Sequence, residues 1–148
     1  MCGWLIPLPW WFMMALNICK EFLLLKTMAY VGDILSMTIY LAAGDINSFN
    51  SSGNFASYAW MVNPKRESNG KKKDEGNHKC GNRYLCCAFM GAAHYVIRSD
   101  EFIMRFYQRK SAKSFKVVAM KALAHKLARA CYNMLKDGME FDVKCAFS

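Results

Sequence analysis

The sequence predicts an all-α protein built as a small helical bundle. Between about Ser114 and Lys136 the apolar residues recur at steps of three and four, as one face of an amphipathic helix requires. No stretch of the chain alternates apolar and polar residues with the period of two that a half-buried strand shows. The 148 residues, of which 54% are hydrophobic, suffice for one domain with one modest core.

A helical hairpin is predicted near the start of the chain. The apolar run in residues 20–28 indicates the end of one helix, and a short turn leads into a second helix over residues 34–43. Asp33 is placed to cap this second helix, and Gly44 ends it. The next nine residues are rich in Asn, Ser and Gly and predict a loop, after which a short helix follows over residues 54–60.

Longer helices are predicted in the second half of the chain. Residues 83–98 form one apolar helical pattern, and Ser99 and Asp100 can cap the helix that follows it. The last long helix covers residues 114–136, and Gly138 stands where the glycine after a helix end belongs.

The polar centre of the chain, residues 63–82, separates these two halves. It contains Lys71-Lys72-Lys73 among several Gly and Asn residues. A connection of this length without apolar periodicity is either disordered or functional. We expect residues 63–80, called the lysine-rich segment below, to be poorly ordered without nucleic acid.

Charge is distributed unevenly along the chain. Residues 1–60 hold two basic and three acidic side chains, whereas residues 61–148 hold eighteen basic and eight acidic ones, a difference of +10. The formal net charge of the whole chain is +9. Such a surface suits a polyanion, either nucleic acid or acidic lipid.

The last long helix carries basic residues on one face. Lys121, His125 and Arg129 are spaced at i, i+4 and i+8, which places them together. Three lysines broaden this face: Lys113, Lys116 and Lys126. A solvated face that merely keeps the domain soluble would show the same spacing. Together with the lysine run and the local charge, phosphate contact is the favoured interpretation.

The seven cysteines do not show the spacing of a disulfide framework or a zinc motif. Their number is odd, no C-x-x-C pair occurs, and Cys86 and Cys87 are adjacent. We expect reduced, mostly buried thiols in a cytosolic protein.

The start of the chain is apolar but fits neither a membrane span nor a secretory signal. Residues 1–19 carry no charged side chain, yet no basic residue precedes them, and Pro7 and Pro9 interrupt a helix. A membrane anchor is therefore disfavoured. A helix packed on the domain, or a tail foreign to its natural architecture, is the preferred account.

Several motifs occur in one register between residues 23 and 147. They are Gly44-Asp45-Ile46-x-x-Phe49, Phe55-Ala56-Ser57-Tyr58-Ala59 with Pro64, Ser68-Asn69-Gly70-Lys71, Gly76-Asn77-x-Lys79-x-Gly81-Asn82-Arg83-Tyr84-Leu85 and Ala124-His125-Lys126-Leu127-Ala128-Arg129. This set resembles the C-terminal domain of the insertion-sequence one-hundred-and-ten (DEDD) transposases, also grouped with insertion sequences one-hundred-and-sixteen and nine-hundred-and-two. By this resemblance residues 20–148 are that domain, and residues 1–19 lie outside it.

The resemblance implies a recombinase that cuts and rejoins DNA, guided by an RNA that the element encodes. Judged by its neighbours alone, Ser68 is a turn residue, because the lysine-rich segment offers cations but no obvious base. The resemblance instead places Ser68 at the family's nucleophile position. It also implies contacts to the nucleic-acid backbone by six residues: Lys71, Lys72, Lys73, Lys79, Asn82 and Arg83.

Departures from the family pattern bear on activity. By resemblance, full-length members carry an N-terminal RuvC-like nuclease domain whose four acidic ligands hold Mg²⁺, and residues 1–19 match none of its motifs. We therefore expect no cofactor in this chain. The expectation is a truncated, drifting copy that binds DNA or guide RNA in the cytoplasm, associated with the nucleoid, and is inactive alone.

Two other functions stay open. One is a small basic membrane-associated protein anchored by residues 1–25. The other is a module that self-associates or pairs with full-length transposase and inhibits it.

Overall fold

The computed structural model confirms the all-α fold. It describes residues 20–28, 31–62, 67–68, 71–72 and 81–147. Residues 1–19, on which the predicted packed helix or foreign tail and the disfavoured membrane anchor fall, lie outside the described residues. The helices in these ranges are α1 (residues 20–27), α2 (Asp33–Ala43), a 3₁₀ helix (Ile46–Ser48), α3 (Ser52–Tyr58), α4 (Arg83–Ser99), α5 (Glu101–Ser111), α6 (Lys116–Asp137) and α7 (Val143–Phe147).

The start of α5 and the end of α6 lie where the sequence predicts them. The Asp100 carboxylate accepts hydrogen bonds from the backbone N–H groups of Phe102 (2.8 Å) and Ile103 (3.2 Å) at the start of α5. Gly138 ends α6 with φ +66°, a left-handed conformation that glycine adopts without steric cost.

Two helix starts differ from the prediction. Gly32, not Asp33, is the N-cap of α2, and Asp33 is the first helical residue. Its carboxylate lies 2.9 Å from Nζ of Lys26 instead of capping the backbone. In the predicted loop over residues 45–53, Ser51 already caps α3 by accepting from the Asn54 N–H at 3.2 Å. These residues therefore begin helical structure earlier than their composition indicates.

The lysine-rich segment contains a short antiparallel pair that the sequence analysis did not predict. Strand β1 (Glu67–Ser68) pairs with β2 (Lys71–Lys72), with Glu67 opposite Lys72 and Ser68 opposite Lys71. The sequence between them is Asn-Gly, the dipeptide most typical of two-residue hairpin turns. The rest of the segment lies outside the described residues, so its predicted poor order stays a prediction.

The core is built around Phe55, where α3, α4 and α6 meet. Its ring, fully buried, lies 5.2 Å from that of Phe49, 6.1 Å from Phe89 on α4 and 6.0 Å from Tyr132 on α6. The Tyr132 hydroxyl donates to the Phe49 carbonyl at 2.8 Å, which satisfies this polar atom at the edge of the core. Helix α6 packs against α3, α4, α5 and α7, and one hydrophobic cluster extends from Leu25 to Phe147.

The prediction of mostly buried thiols is wrong for the cysteines that the structure describes. Cys131 is fully buried in the core, but Cys86 is half-buried, and Cys87 and Cys145 are exposed. None of these four cysteines forms a disulfide bond. Adjacent residues on a helix point in different directions, so Cys86 and Cys87 could not both face the core.

Candidate nucleic-acid interface

The basic stripe of α6 lies on partly covered surface. Lys121 and His125 are half-buried, and Arg129 is exposed. Nε of Arg129 donates to Oγ of Ser52 at 3.4 Å, so the stripe runs along the side of α6 that faces α3. Lys121 and His125 therefore lie partly against neighbouring side chains, and the exposed Arg129 still contacts α3.

An open groove of about 740 Å³ runs beside this stripe. Its apolar part comes from three regions of the chain: Met61 and Val62 after α3, Phe106 on α5, and Val117, Val118 and Ala122 on α6. Its polar part consists of Lys110, Lys121, His125 and Lys126. No acidic residue lines it.

The ring of Phe106 positions two of the groove's ammonium groups. Nζ of Lys126 lies 5.3 Å from the ring centroid, and Nζ of Lys110 lies 5.9 Å from it. Nζ of Lys126 is also 5.8 Å from the Phe147 ring. Cation–π attraction holds the charges over apolar surface, where they concentrate positive potential in the groove.

The surroundings of His125 lower the pKa of its imidazole. Burial lowers the pKa of His125 below its usual value near 6.5, and the nearby positive charge of Arg129 lowers it further. Since the negative charge of an anion in the groove would favour the protonated imidazole, His125 is a group whose charge can respond to a bound polyanion.

Both ends of the lysine-rich segment meet at the end of α3. Val62, the last described residue before the segment, lines the groove. On the far side of the segment, Gly81 lies under the indole of Trp60, and the Asn82 N–H donates to the Tyr58 carbonyl at 2.7 Å. The segment therefore begins and ends next to the groove.

The side chain of Asn82, a predicted nucleic-acid contact, makes hydrogen bonds within the fold. Its Oδ1 accepts from the N–H groups of Tyr84 (2.9 Å) and Leu85 (3.3 Å) and so caps α4. Its Nδ2 donates to the Ala42 carbonyl at 3.0 Å and to the Tyr58 hydroxyl at 3.3 Å. These bonds account for the side chain without a ligand.

The other predicted contacts are distributed between the helices and the segment. Arg83 is exposed at the first position of α4. Lys71 and Lys72 lie on β2, and Ser68, the candidate nucleophile, pairs with Lys71 across the hairpin. Lys73 and Lys79 lie outside the described residues.

The family model of the IS116/IS110/IS902 transposases matches residues 23–108. The chain belongs to this transposase family. No curated protein matches the sequence significantly. The family match covers α2 to α4, α5 up to residue 108 and the lysine-rich segment, whereas the basic stripe of α6, including the Ala124–Arg129 motif, lies beyond it. Helix α6 nevertheless packs directly on the matched helices α3, α4 and α5.

Neither the groove nor the contribution of Lys110 follows from the sequence alone. The groove is assembled from residues far apart in the chain, and helical spacing relates only residues of one helix. Lys126 was included in the basic face, but its partner Phe106 is on α5. The one feature of the sequence that points to Lys110 is that residues 102–136 contain no Asp or Glu, so that the positive charge of this stretch is not neutralised locally.

Two further findings concern metals and membranes. Within the described ranges, no three His, Cys, Asp or Glu side chains come close enough to share a metal ion. These residues therefore do not fit the Mg²⁺ that the family resemblance associates with a RuvC-like domain. In the same ranges, no helix is both long and apolar enough to cross a membrane.

Proposed function

We propose that this chain is a nucleic-acid-binding domain of a transposase, in which the groove beside α6 holds a phosphodiester backbone. The observation that carries the proposal is that the residues flanking the lysine-rich segment lie at or next to the groove. Val62 lines the groove, and Gly81, which follows the segment, lies against Trp60, two residues before Val62. Lysines of the segment and of the groove can therefore engage one continuous strand.

The composition of the groove supports backbone contact and not base-specific recognition. Lys110, Lys121 and Lys126 supply ammonium groups, which bind phosphate as point charges. Among the residues that line the groove there is no Asn or Gln, the side chains that pair with adenine edges. Binding is expected to be electrostatic and weakly sequence-selective.

The salt dependence of duplex binding tests this proposal. If about four phosphates are engaged, log K falls against log salt with a slope near −3.6, at about −0.9 per phosphate. The double variant Lys110→Ala/Lys121→Ala should flatten the slope toward about −1.8, as two contacts are lost. Fluorescence anisotropy with a labelled duplex at several salt concentrations measures both slopes.

A charge-matched control removes two lysines that do not line the groove. Lys20→Ala/Lys136→Ala lowers the net charge by the same amount but leaves the groove lining intact. Its slope should stay close to that of the unmodified protein. Equal flattening by the two double variants would show that net charge alone binds DNA and would refute the groove.

The hairpin makes a separate contribution in this proposal. Replacing Lys71, Lys72 and Lys73 by Ala should flatten the slope further, because the segment and the groove contact different phosphates. An unchanged slope would remove the segment from the interface. The same titrations with a structured RNA decide whether guide RNA, which the family resemblance implies, competes with DNA for these lysines.

We propose further that Ser68 acts as nucleophile only together with a RuvC-like domain that supplies Mg²⁺. Support comes from the family and from the pairing of Ser68 with Lys71, which places a cationic residue opposite the serine backbone. In the step, the bond from Oγ to phosphorus forms as the bond from phosphorus to a sugar oxygen breaks. The serine proton passes to a base of that second domain, and the sugar oxygen takes up a proton.

Trapping of a covalent adduct tests the role of Ser68. End-labelled DNA should stay attached to the protein on a denaturing gel only when a RuvC-like domain is added in trans. Ser68→Ala should abolish the adduct without weakening DNA binding. An adduct formed by this chain alone, with neither the second domain nor metal, would contradict the proposal.

A further inference from the structure

Phe115 is the most exposed large apolar side chain among the described residues, with 84% of its surface accessible. It directly precedes α6, and the next apolar residues, Val117 and Val118, are 73% and 54% exposed. Isolated apolar residues on a surface are ordinary, but these three lie within four successive residues, with only Lys116 between them. Val117 and Val118 also line the groove, so the exposed patch continues into it.

The fold itself does not explain an aromatic residue at position 115. Phe115 is the N-cap of α6 and makes no side-chain cap, although Ser, Thr, Asp and Asn stabilise helices at this position. The neighbouring Ser114 does not substitute for it, because its hydroxyl donates back to the Lys110 carbonyl at 2.9 Å. A phenyl ring here therefore gives up a cap without packing into the core.

Positive charge surrounds this ring. Lys113 and Lys116, both exposed, flank it in sequence, and Lys110 lies at the end of α5 just before the turn. From residue 102 to residue 136 the chain has nine basic residues and no acidic one. An anionic partner with flat apolar groups would match both the charge and the exposed ring.

We propose that Phe115 is a stacking platform for an unpaired nucleobase of a single strand whose phosphates lie on Lys113 and Lys116. The inference rests on the proposed function and extends it, since the same strand would continue into the groove. Aromatic rings stack on any base face, whereas paired bases inside a duplex are shielded by their neighbours. The site therefore distinguishes single-stranded from double-stranded nucleic acid without reading sequence.

A comparison of single-stranded and duplex affinities tests the platform. Phe115→Ala should weaken binding of a short labelled oligothymidylate by roughly fivefold or more, as loss of one base–aromatic stack does. Its affinity for a duplex should change less than about twofold, because only the phosphate contacts remain relevant there. Phe115→Trp should retain the single-strand affinity. The helical circular dichroism should be unchanged, since the ring is outside the core.

The matched control is Phe102→Ala, which removes another exposed phenyl ring, 45% accessible, from the start of α5. It should leave both affinities unchanged. A fluorescent adenine analogue in the oligonucleotide gives a second measurement: its emission should be quenched by the unmodified protein and not by Phe115→Ala.

The stacking platform and the proposed function can fail separately in these measurements. If Phe115→Ala weakens single-strand and duplex binding equally, or neither, the stacking platform is refuted while nucleic-acid binding stands. If the unmodified protein binds neither, the proposed function fails and the platform with it. If Phe115→Ala instead abolishes sedimentation with phosphatidylglycerol vesicles and leaves oligonucleotide binding intact, the exposed ring is a lipid contact and the platform is wrong.

Discussion

The indole of Trp60 lies directly against the α-carbon of Gly81. A β-carbon at position 81 would overlap both Cδ1 and Nε1 of that indole. Trp60 itself has φ +58°, a left-handed conformation that costs a bulky residue energy. The two residues thus form a close junction that only glycine permits, at the point where the chain re-enters the helical bundle.

Gly81→Ala should destabilise the protein by about 1–3 kcal/mol, because the added methyl group overlaps the indole and forces the junction apart. Urea denaturation followed by circular dichroism measures this loss. The matched control is Gly53→Ala in α3, where a β-carbon would meet only Oγ of Ser51 at an ordinary 3.7 Å. That variant should be neutral or stabilising by up to about 1 kcal/mol, as alanine favours helix. Equal stability of the two variants would contradict the junction.

Asn82→Ala should cost about 1–2 kcal/mol, since α4 loses its cap and the Ala42 carbonyl loses a donor. Asn82→Asp should cost less, because its carboxylate can still accept from Tyr84 and Leu85. Asn133→Ala, an exposed change on α6, serves as control and should be close to neutral. Denaturation midpoints give the order of the three variants. If the folded Asn82→Asp protein loses duplex affinity beyond the effect of one added negative charge, Asn82 contacts nucleic acid as well.

The helix starts show how far local sequence determines this fold. Asp100 caps α5 and Gly138 ends α6 as predicted, because both act on backbone groups within a few residues of themselves. Asp33 has the right chemistry for a cap but pairs with Lys26 of the preceding helix. Local spacing alone could not reveal that competing tertiary partner.

The candidate site was less predictable than the helices. The stripe of Lys121, His125 and Arg129 follows from helical spacing, but the groove depends on how α5, α6 and the end of α3 pack. Asn82 illustrates the same limit, because its two donor bonds reach Ala42 and Tyr58, forty and twenty-four residues away. The hairpin was detectable in principle from the Asn-Gly dipeptide, which the composition of the segment concealed.

Stability should fall as the pH drops below about 6.5, and His125 should account for part of the loss. The pKa of His125 is lowered in the folded protein, so the unfolded chain binds more protons in the window between the lowered value and the ordinary value near 6.5. Stability therefore rises with pH through this window and is fully present above it. His125→Gln should make the dependence of the melting temperature on pH shallower. His94→Gln, an exposed change on α4, should retain the original dependence, and equal flattening by both would exclude a special role for His125.

DNA affinity should respond to pH in the opposite direction. Protonation of His125 adds a positive charge to the groove, so affinity for a duplex should rise as the pH falls from about 7.5 to about 5.5. His125→Gln should remove part of this increase. Anisotropy titrations at constant ionic strength measure it. An identical pH response in His125→Gln would place His125 outside the interface.

The cysteines should differ sharply in reactivity toward iodoacetamide. Burial raises the pKa of the Cys131 thiol to about 12, so this residue should stay unmodified until the protein unfolds. Cys87 is exposed and should be modified in the native state. Cys145 is also exposed, but its thiol donates to the Asp142 carboxylate at 3.4 Å, which raises its pKa and slows its reaction. Peptide mass mapping gives the order, and native modification of Cys131 would contradict the core described above.

The contacts of Trp60 with Gly81 and of Tyr58 with Asn82 join the two ends of the segment to the bundle, so the packing of the helices does not depend on the residues between these ends. Nothing in these contacts fixes the length or the sequence of what lies between Val62 and Gly81. Insertions, deletions and changes of charge there would leave the packing around Phe55 intact. Evolution could therefore change the length and composition of this insert without rebuilding the helices that carry it.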